Sequence, residues 1–146
     1  MAALSVALSI ASPALAAAPS EATRFVAPPA VAAEIRAGIK TARARFEARD
    51  AAAVLASVSE QFRSGGLTKP ALRQQLLAMF GLYEQLRARV RVDRVEIADG
   101  RTEVFTTGEV SGRLPLVGWV PVLSWNTQPE VVRREGNAWR LYGFQD

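Results

Sequence analysis

The chain has 146 residues, 49% of them hydrophobic and 22% charged, with a net charge of +4. That is apolar material for one packed domain and too little length for two of ordinary size, and it excludes an intrinsically disordered chain. Cysteine and histidine are both absent, which excludes disulfides, thiol catalysis, thiolate metal sites and any imidazole base.

The first eighteen residues carry no charge and consist mainly of Ala, Leu, Val, Ile and Ser. Ser12-Pro13 followed by Ala14-Leu15-Ala16 is the small-x-small pattern read by signal peptidase. Residues 1–16 are therefore read as a signal peptide and 17–29 as a flexible lead-in. The domain itself then covers residues 30–146, in a periplasmic or secreted protein. The apolar run Leu4–Ala11 is too short to span a bilayer, which takes about 20 residues.

Pro28-Pro29 opens a first helix, on which Val31, Ile35, Ile39, Ala42 and Phe46 fall on one face. Asp50 is placed to cap a short second helix, Ala51 to Val58. Ser59 to Arg63 reads as a brief strand carrying Phe62, and Ser64-Gly65-Gly66 as a turn. Thr68 caps a third helix with Pro70 in its first turn, and Leu72, Leu76, Met79, Phe80 and Tyr83 form its apolar stripe.

From Glu84 onward the period changes to two. Leu86, Ala88, Val90 and Val92 alternate with Arg87, Arg89, Arg91 and Asp93, and the next apolar pair, Val95 and Ile97, is out of phase. One extra residue predicts a β-bulge near Asp93-Arg94 that bends the sheet. Asp99-Gly100 marks a hairpin. A strand from Arg101 to about Arg113 follows, with Gly108 as a second bending point. A turn with Pro115 leads to a long strand, Trp119 to Arg134, where Pro121 and Pro129 imply an edge or irregular ends. Glu135-Gly136-Asn137 turns into a last strand, Ala138 to Phe144.

Helix, short helix, brief strand, helix and four antiparallel strands resemble the cone-shaped α+β fold of the nuclear transport factor 2-like (NTF2-like, or SnoaL-like) superfamily. Ala48-Arg49-Asp50, Ser59-Glu60-Gln61-Phe62 and Asn137-Ala138-Trp139-Arg140-Leu141 match its local features, and the likeness covers about residues 30 to 145. It implies N-terminal helices packed in the concave face of one curved, mainly antiparallel sheet. It also implies a cavity that some members use for catalysis and others for binding or pairing. The His–Asp mechanisms of its dehydratase and cyclase branches fail for want of histidine. The isomerase branch needs a carboxylate base where this chain has Phe62-Arg63-Ser64-Gly65, and a tyrosine that the first helix lacks. No catalytic residue, metal site or cofactor is therefore assigned.

Tyr83, Trp119 and Trp125, with Trp139 and Phe80, either line an apolar pocket at the cone mouth or pack the core. Asp93 beside the bulge is the first candidate for an aimed carboxylate, and Glu103 the second. Phe105, Val120, Val122, Tyr142 and Phe144 would form a second apolar face, which a second copy of the chain could cover. Arg87, Arg89 and Arg91 form a basic row that either meets an anion or pairs with Glu103 and Glu109. The charges are mixed along the chain, which argues against nucleic acid. The reading that results is an exported, non-catalytic binding or interaction module. Its alternatives are an enzyme with a lone buried carboxylate and a domain resting on a membrane surface through its arginines and the Trp119 region.

Overall fold

Two helices cross the hollow of a curved sheet, and a third, one turn and a half long, lies between them in sequence. The computed structural model describes residues 23–145, so the segment read as a signal peptide and the start of the lead-in lie outside it. Strand β1 is Arg24–Val26. Helix α1 spans Pro29–Glu47 with proline at its start and buries Ala32, Ile35, Ile39, Ala42 and Phe46. Spacing of three and four residues puts these on one stripe facing the sheet. Asp50 caps α2 (Ala51–Leu55), its carboxylate accepting from Ala53 N at 3.0 Å. After a two-residue hairpin of β2 (Arg63–Ser64) and β3 (Leu67–Thr68), α3 runs Lys69–Leu82. Its cap is Thr68, accepting from Ala71 N, and it buries Leu72, Leu76 and Phe80.

The long strands are β4 (Gln85–Ala98), β5 (Arg101–Leu114) and β6 (Gly118–Glu135), and β7 is Ala138–Leu141. Together with β1 they make one open antiparallel sheet in the order β1-β4-β5-β6-β7. Asp99 and Gly100 both have positive φ, the backbone that a tight β4–β5 hairpin requires. Three irregularities bend the ladders. Asp93 is skipped between Val92 and Arg94; Asn126 and Thr127 stand opposite Thr107; and Val122 is extra opposite Val110 and Ser111. Each adds a residue to one strand, which coils the sheet around the helices.

Several elements differ from the sequence reading. Residues 24–26, read as flexible lead-in, form β1, paired to Glu96–Ala98 and fixed by Arg24. Helix α2 stops at Leu55 rather than Val58, because Ser57 and Val58 bond back three residues and Val58 then bridges to Leu141. The brief strand is Arg63–Ser64 rather than Ser59 to Arg63, with Phe62 buried beside it. The last strand ends at Leu141 rather than Phe144: Tyr142 N and Gly143 N both donate to Val131 O, and Gly143 turns with φ 80°.

The core has two lobes. The larger joins Phe46, Leu55, Leu76 and Phe80 to Leu86, Val110, Trp125 and Leu141. The smaller sets Ile35 and Ile39 of α1 against Val95, Val104 and Val132. Arg49, in a left-handed conformation just past α1, donates to Phe80 O at 2.5 Å and Glu84 O at 2.9 Å. A guanidinium there satisfies carbonyls that the end of α3 leaves open and meets the negative end of its dipole.

Two glycines of β5 admit aromatic rings. A Cβ on Gly108 would overlap the Trp125 indole, and one on Gly112 would overlap the Tyr83 ring. Gly112→Ala is therefore expected to cost about 1–3 kcal/mol in urea unfolding, the range for an overpacked core. In a Tyr83→Ala background the same substitution should cost far less; an equal cost in both backgrounds would rule out ring overlap as the cause.

Candidate binding site

Alternation along paired strands decides which side chains face the helices. Val92, Val95, Val104, Thr106, Glu130 and Val132 share the concave side through the pairs Val92↔Thr106, Val95↔Val104, Val104↔Glu130 and Thr102↔Val132. Trp125 is opposite Gly108 on the same side, and its indole N–H donates to Thr106 Oγ1 at 2.9 Å. Thr106 is fully buried, so that bond satisfies two polar groups that burial would otherwise leave unpaired. Tyr83 fills the other end of the hollow over Gly112. These two candidate pocket residues thus occupy the hollow.

The other two candidates lie outside it. Asp93 is on the convex face, where Thr107 Oγ1 donates to it at 2.6 Å and Arg91 Nε at 2.8 Å. Those donors, the Thr107 hydroxyl foremost, hold its pKa below the usual carboxylate value. Trp119 is opposite Arg113 on the convex face and exposed, with the Arg87 guanidinium 3.9 Å from its ring centre. Tyr83, Asp93, Trp119 and Trp125 therefore do not share one site.

The proposed pairing residues are also split. Phe105 is convex and buried beneath Arg94, 3.7 Å above its ring. Val120 is opposite Gly112 and hence concave, and Val122 packs against the larger lobe of the core. Tyr142 lies under Arg133, and Phe144 is exposed near Arg101. Glu103, the second acid singled out, is buried on the convex face between Arg24 at 2.9 Å and Arg101 at 3.2 Å. Arg24 also bonds Glu96, which Arg94 holds from its other side. The convex face is thus a ladder of alternating charge, and Arg89 pairs across it with Glu109 at 3.5 Å.

Sequence reasoning missed Glu130. It is 3% exposed on the concave side, and its Oε2 has no hydrogen-bond partner. No cation stands within ion-pair distance among the described residues. Burial raises its pKa from 4.5 to about 8. Counting alternate residues back from Val132 would have found it.

Open space lies beside the hollow instead. A cleft of about 400 Å³ separates the flank of α1 from β4, lined by Arg36, Lys40 and Arg43 of α1 and by residues 90–92 of β4, with Ile39, Val90 and Val92 as its apolar part. It continues through Arg43, Val90 and Arg91 into a second cleft of about 350 Å³ that reaches Arg89 and Ser124.

No family model and no curated protein sequence matches the chain. Solved structures do. ActVI-ORFA from Streptomyces coelicolor superposes with a TM-score of 0.65 at 18% identity, over 80% of this chain and 93% of that one. Aln2 from another Streptomyces strain gives 0.64 at 14% identity, over 82% and 90%. A ketosteroid isomerase-like protein from Erwinia carotovora atroseptica gives 0.56 at 16% identity, over 76% and 90%. At these identities the likeness is one of fold.

The carboxyl of Glu130 binds its proton more tightly in the folded chain than in the unfolded one. Its stabilisation is complete below pH 4.5 and lost as pH rises through about 8. Opposite behaviour comes from Glu34, Asp93, Glu96 and Glu135, held below the usual range chiefly by Trp139, Thr107, Arg24 and Arg133 respectively; their contribution is lost on acidification. Glu130→Gln should stay close to the wild type near pH 5 and exceed it by several kcal/mol at alkaline pH, about 1.4 kcal/mol for each pH unit up to the folded value, read from denaturant melts across pH. Parallel pH curves for the two proteins would contradict a buried, proton-holding carboxyl.

Helices laid in the concave face of one curved antiparallel sheet, and the match to these structures over most of both chains, give the chain the NTF2-like (SnoaL-like) α+β fold.

Proposed function

We propose that the chain is an exported, non-catalytic binding and interaction module that works from its surface and not from its hollow. One observation carries this reading: the concave space is occupied by the chain's own Trp125 and Tyr83, seated on Gly108 and Gly112. A ligand cavity needs several hundred Å³ lined by apolar groups with a few aimed polar ones. Here the indole N–H that could orient a ligand is already bonded to Thr106. Export is supported by the uncharged, alanine-rich start and its Ala14-Leu15-Ala16 pattern. An interaction role is supported by the tip of the β5–β6 hairpin. Leu116 is fully exposed there in a left-handed backbone, φ 65°, with exposed Val117 and Trp119 beside it. A left-handed leucine costs about 1–2 kcal/mol and presents apolar surface to water, so folding gains nothing from it.

Glu130 favours a second reading. A buried carboxyl that keeps its proton at neutral pH is a functional-site signature, so an enzyme built on that acid is the alternative.

Removing Trp125 separates the two. Trp125→Ala is expected to lose about 3–5 kcal/mol of stability and to leave an apolar void. Indole should then raise the melting temperature of the variant and leave that of the wild type unchanged. A stoichiometric small molecule retained by native wild-type protein in mass spectrometry, and lost in Glu130→Gln, would favour the enzyme and overturn the surface module.

A further inference from the structure

We infer that the cleft between α1 and β4 binds an anionic amphiphile, a phosphate or carboxylate head on a short apolar body. This names a ligand class for the surface module above and rests on that reading.

Unpaired charge sets this cleft apart from the rest of the surface. On the convex face almost every arginine has a carboxylate: Arg24 with Glu96 and Glu103, Arg94 with Glu96, Arg101 with Glu103, Arg89 with Glu109. At the cleft the balance changes. Arg36 and Lys40 have no carboxylate within ion-pair distance among the described residues. They stand one helical turn apart, where like charges repel. Arg43, a further turn along, has its Nε shut from solvent without a hydrogen bond and pairs only loosely, at 3.5 Å, with Glu47 Oε1. Arg91 borders the cleft on β4, but it alternates with Val90 and Val92 and turns its guanidinium to the convex face, where it pairs with Asp93 at 2.8 Å. Three cations of α1 therefore line a space of about 400 Å³ whose lining includes no acid. Such a cleft focuses positive potential and attracts an anion. Guanidinium forks suit phosphate or carboxylate oxygens.

The floor supplies the second half of the specificity. Ile39, Val90 and Val92 form an apolar strip beside the charged wall of α1. Val90 and Val92 are only half-buried, although both lie on the concave side and pack against the smaller core lobe. An inorganic anion would leave this strip wet, and an uncharged chain would leave the cations unpaired. A molecule with both parts satisfies the whole cleft, with room to extend past Val90 toward Gly108 and Ser124. The cleft is separate from the hollow, which Trp125 and Tyr83 fill.

Calorimetry with octyl phosphate, octanol and inorganic phosphate tests the inference on the whole chain. Octyl phosphate, kept below its micelle concentration, is expected to bind one to one. Octanol and inorganic phosphate should each bind at least tenfold more weakly. The double variant Arg36→Gln/Lys40→Gln should weaken octyl phosphate at least tenfold, while Arg73→Gln on α3 should change it less than twofold. Amide NMR on the wild type is an independent check, with shifts expected at Val90–Val92. Equal binding of octanol, equal binding of inorganic phosphate, or binding indifferent to the double variant would each overturn the inference. Shifts confined to Thr106 and Trp125 would place the ligand in the hollow, and would overturn the surface-module reading with it.

Discussion

Single extra residues in otherwise regular strands govern this molecule. Asp93 has no register partner on β5, and Val122 and the Asn126-Thr127 step interrupt β6. A strand that gains one residue reverses the side on which every later side chain points. Trp119 and Trp125 are an even number of residues apart and would share a face in a regular strand. With Val122 between them, Trp119 is on the convex surface and Trp125 in the hollow. The second interruption sets Glu130 inward beside Val104 and leaves Pro129 outward beside Phe105. The same residues bend the sheet, so curvature and sidedness have one cause.

Curvature creates a hollow, and this chain fills it from within. Glycine at 108 and 112 lets rings come down onto the β5 backbone, where any Cβ would collide. The result is a hydrophobic mass joining α1, α2 and α3 to the sheet, with one polar contact, Trp125 to Thr106, at its centre. Glu130 lies on the concave side among apolar residues, and there it keeps its proton rather than its charge. A neutral carboxyl is tolerated where an ionised one is not. Its acidity is thus a product of packing, whatever use is made of it.

The fold was largely legible in the sequence because it rests on local signals. Helix periodicity, the Asp50 and Thr68 caps, the Asp99-Gly100 turn and the phase slip at Asp93 are each readable from a handful of neighbours, and each is present in the structure. The site was not. The slip in β4 showed because Val92 and Val95 are both apolar and out of step. In β6, Val120, Val122 and Leu123 hide the slip, since apolar residues stand on both sides of it. Without that phase, Trp119 and Trp125 were grouped together and Glu130 was passed over. Strand β1 escaped for a different reason. Three exposed residues carry no burial pattern, and their pairing depends on Glu96 and Glu103 far along the chain.

Charge follows the same geometry. On the convex face, strands set opposite signs beside each other at the spacing of the ladder, so Arg24, Arg94 and Arg101 are neutralised by Glu96 and Glu103, and Phe105 is roofed by guanidinium. Such pairs are weak singly, and their worth here is that they fasten β1 and cover an apolar ring. The flank of α1 faces β4 at Val90 and Val92, whose apolar side chains offer it no acid. Its cations face the end of the ladder, where β4 has lost its neighbour because β1 stops at Val26. The short edge strand that leaves β4 uncovered is therefore also what leaves Arg36 and Lys40 without a partner, and it ties the open cleft to the topology of the sheet.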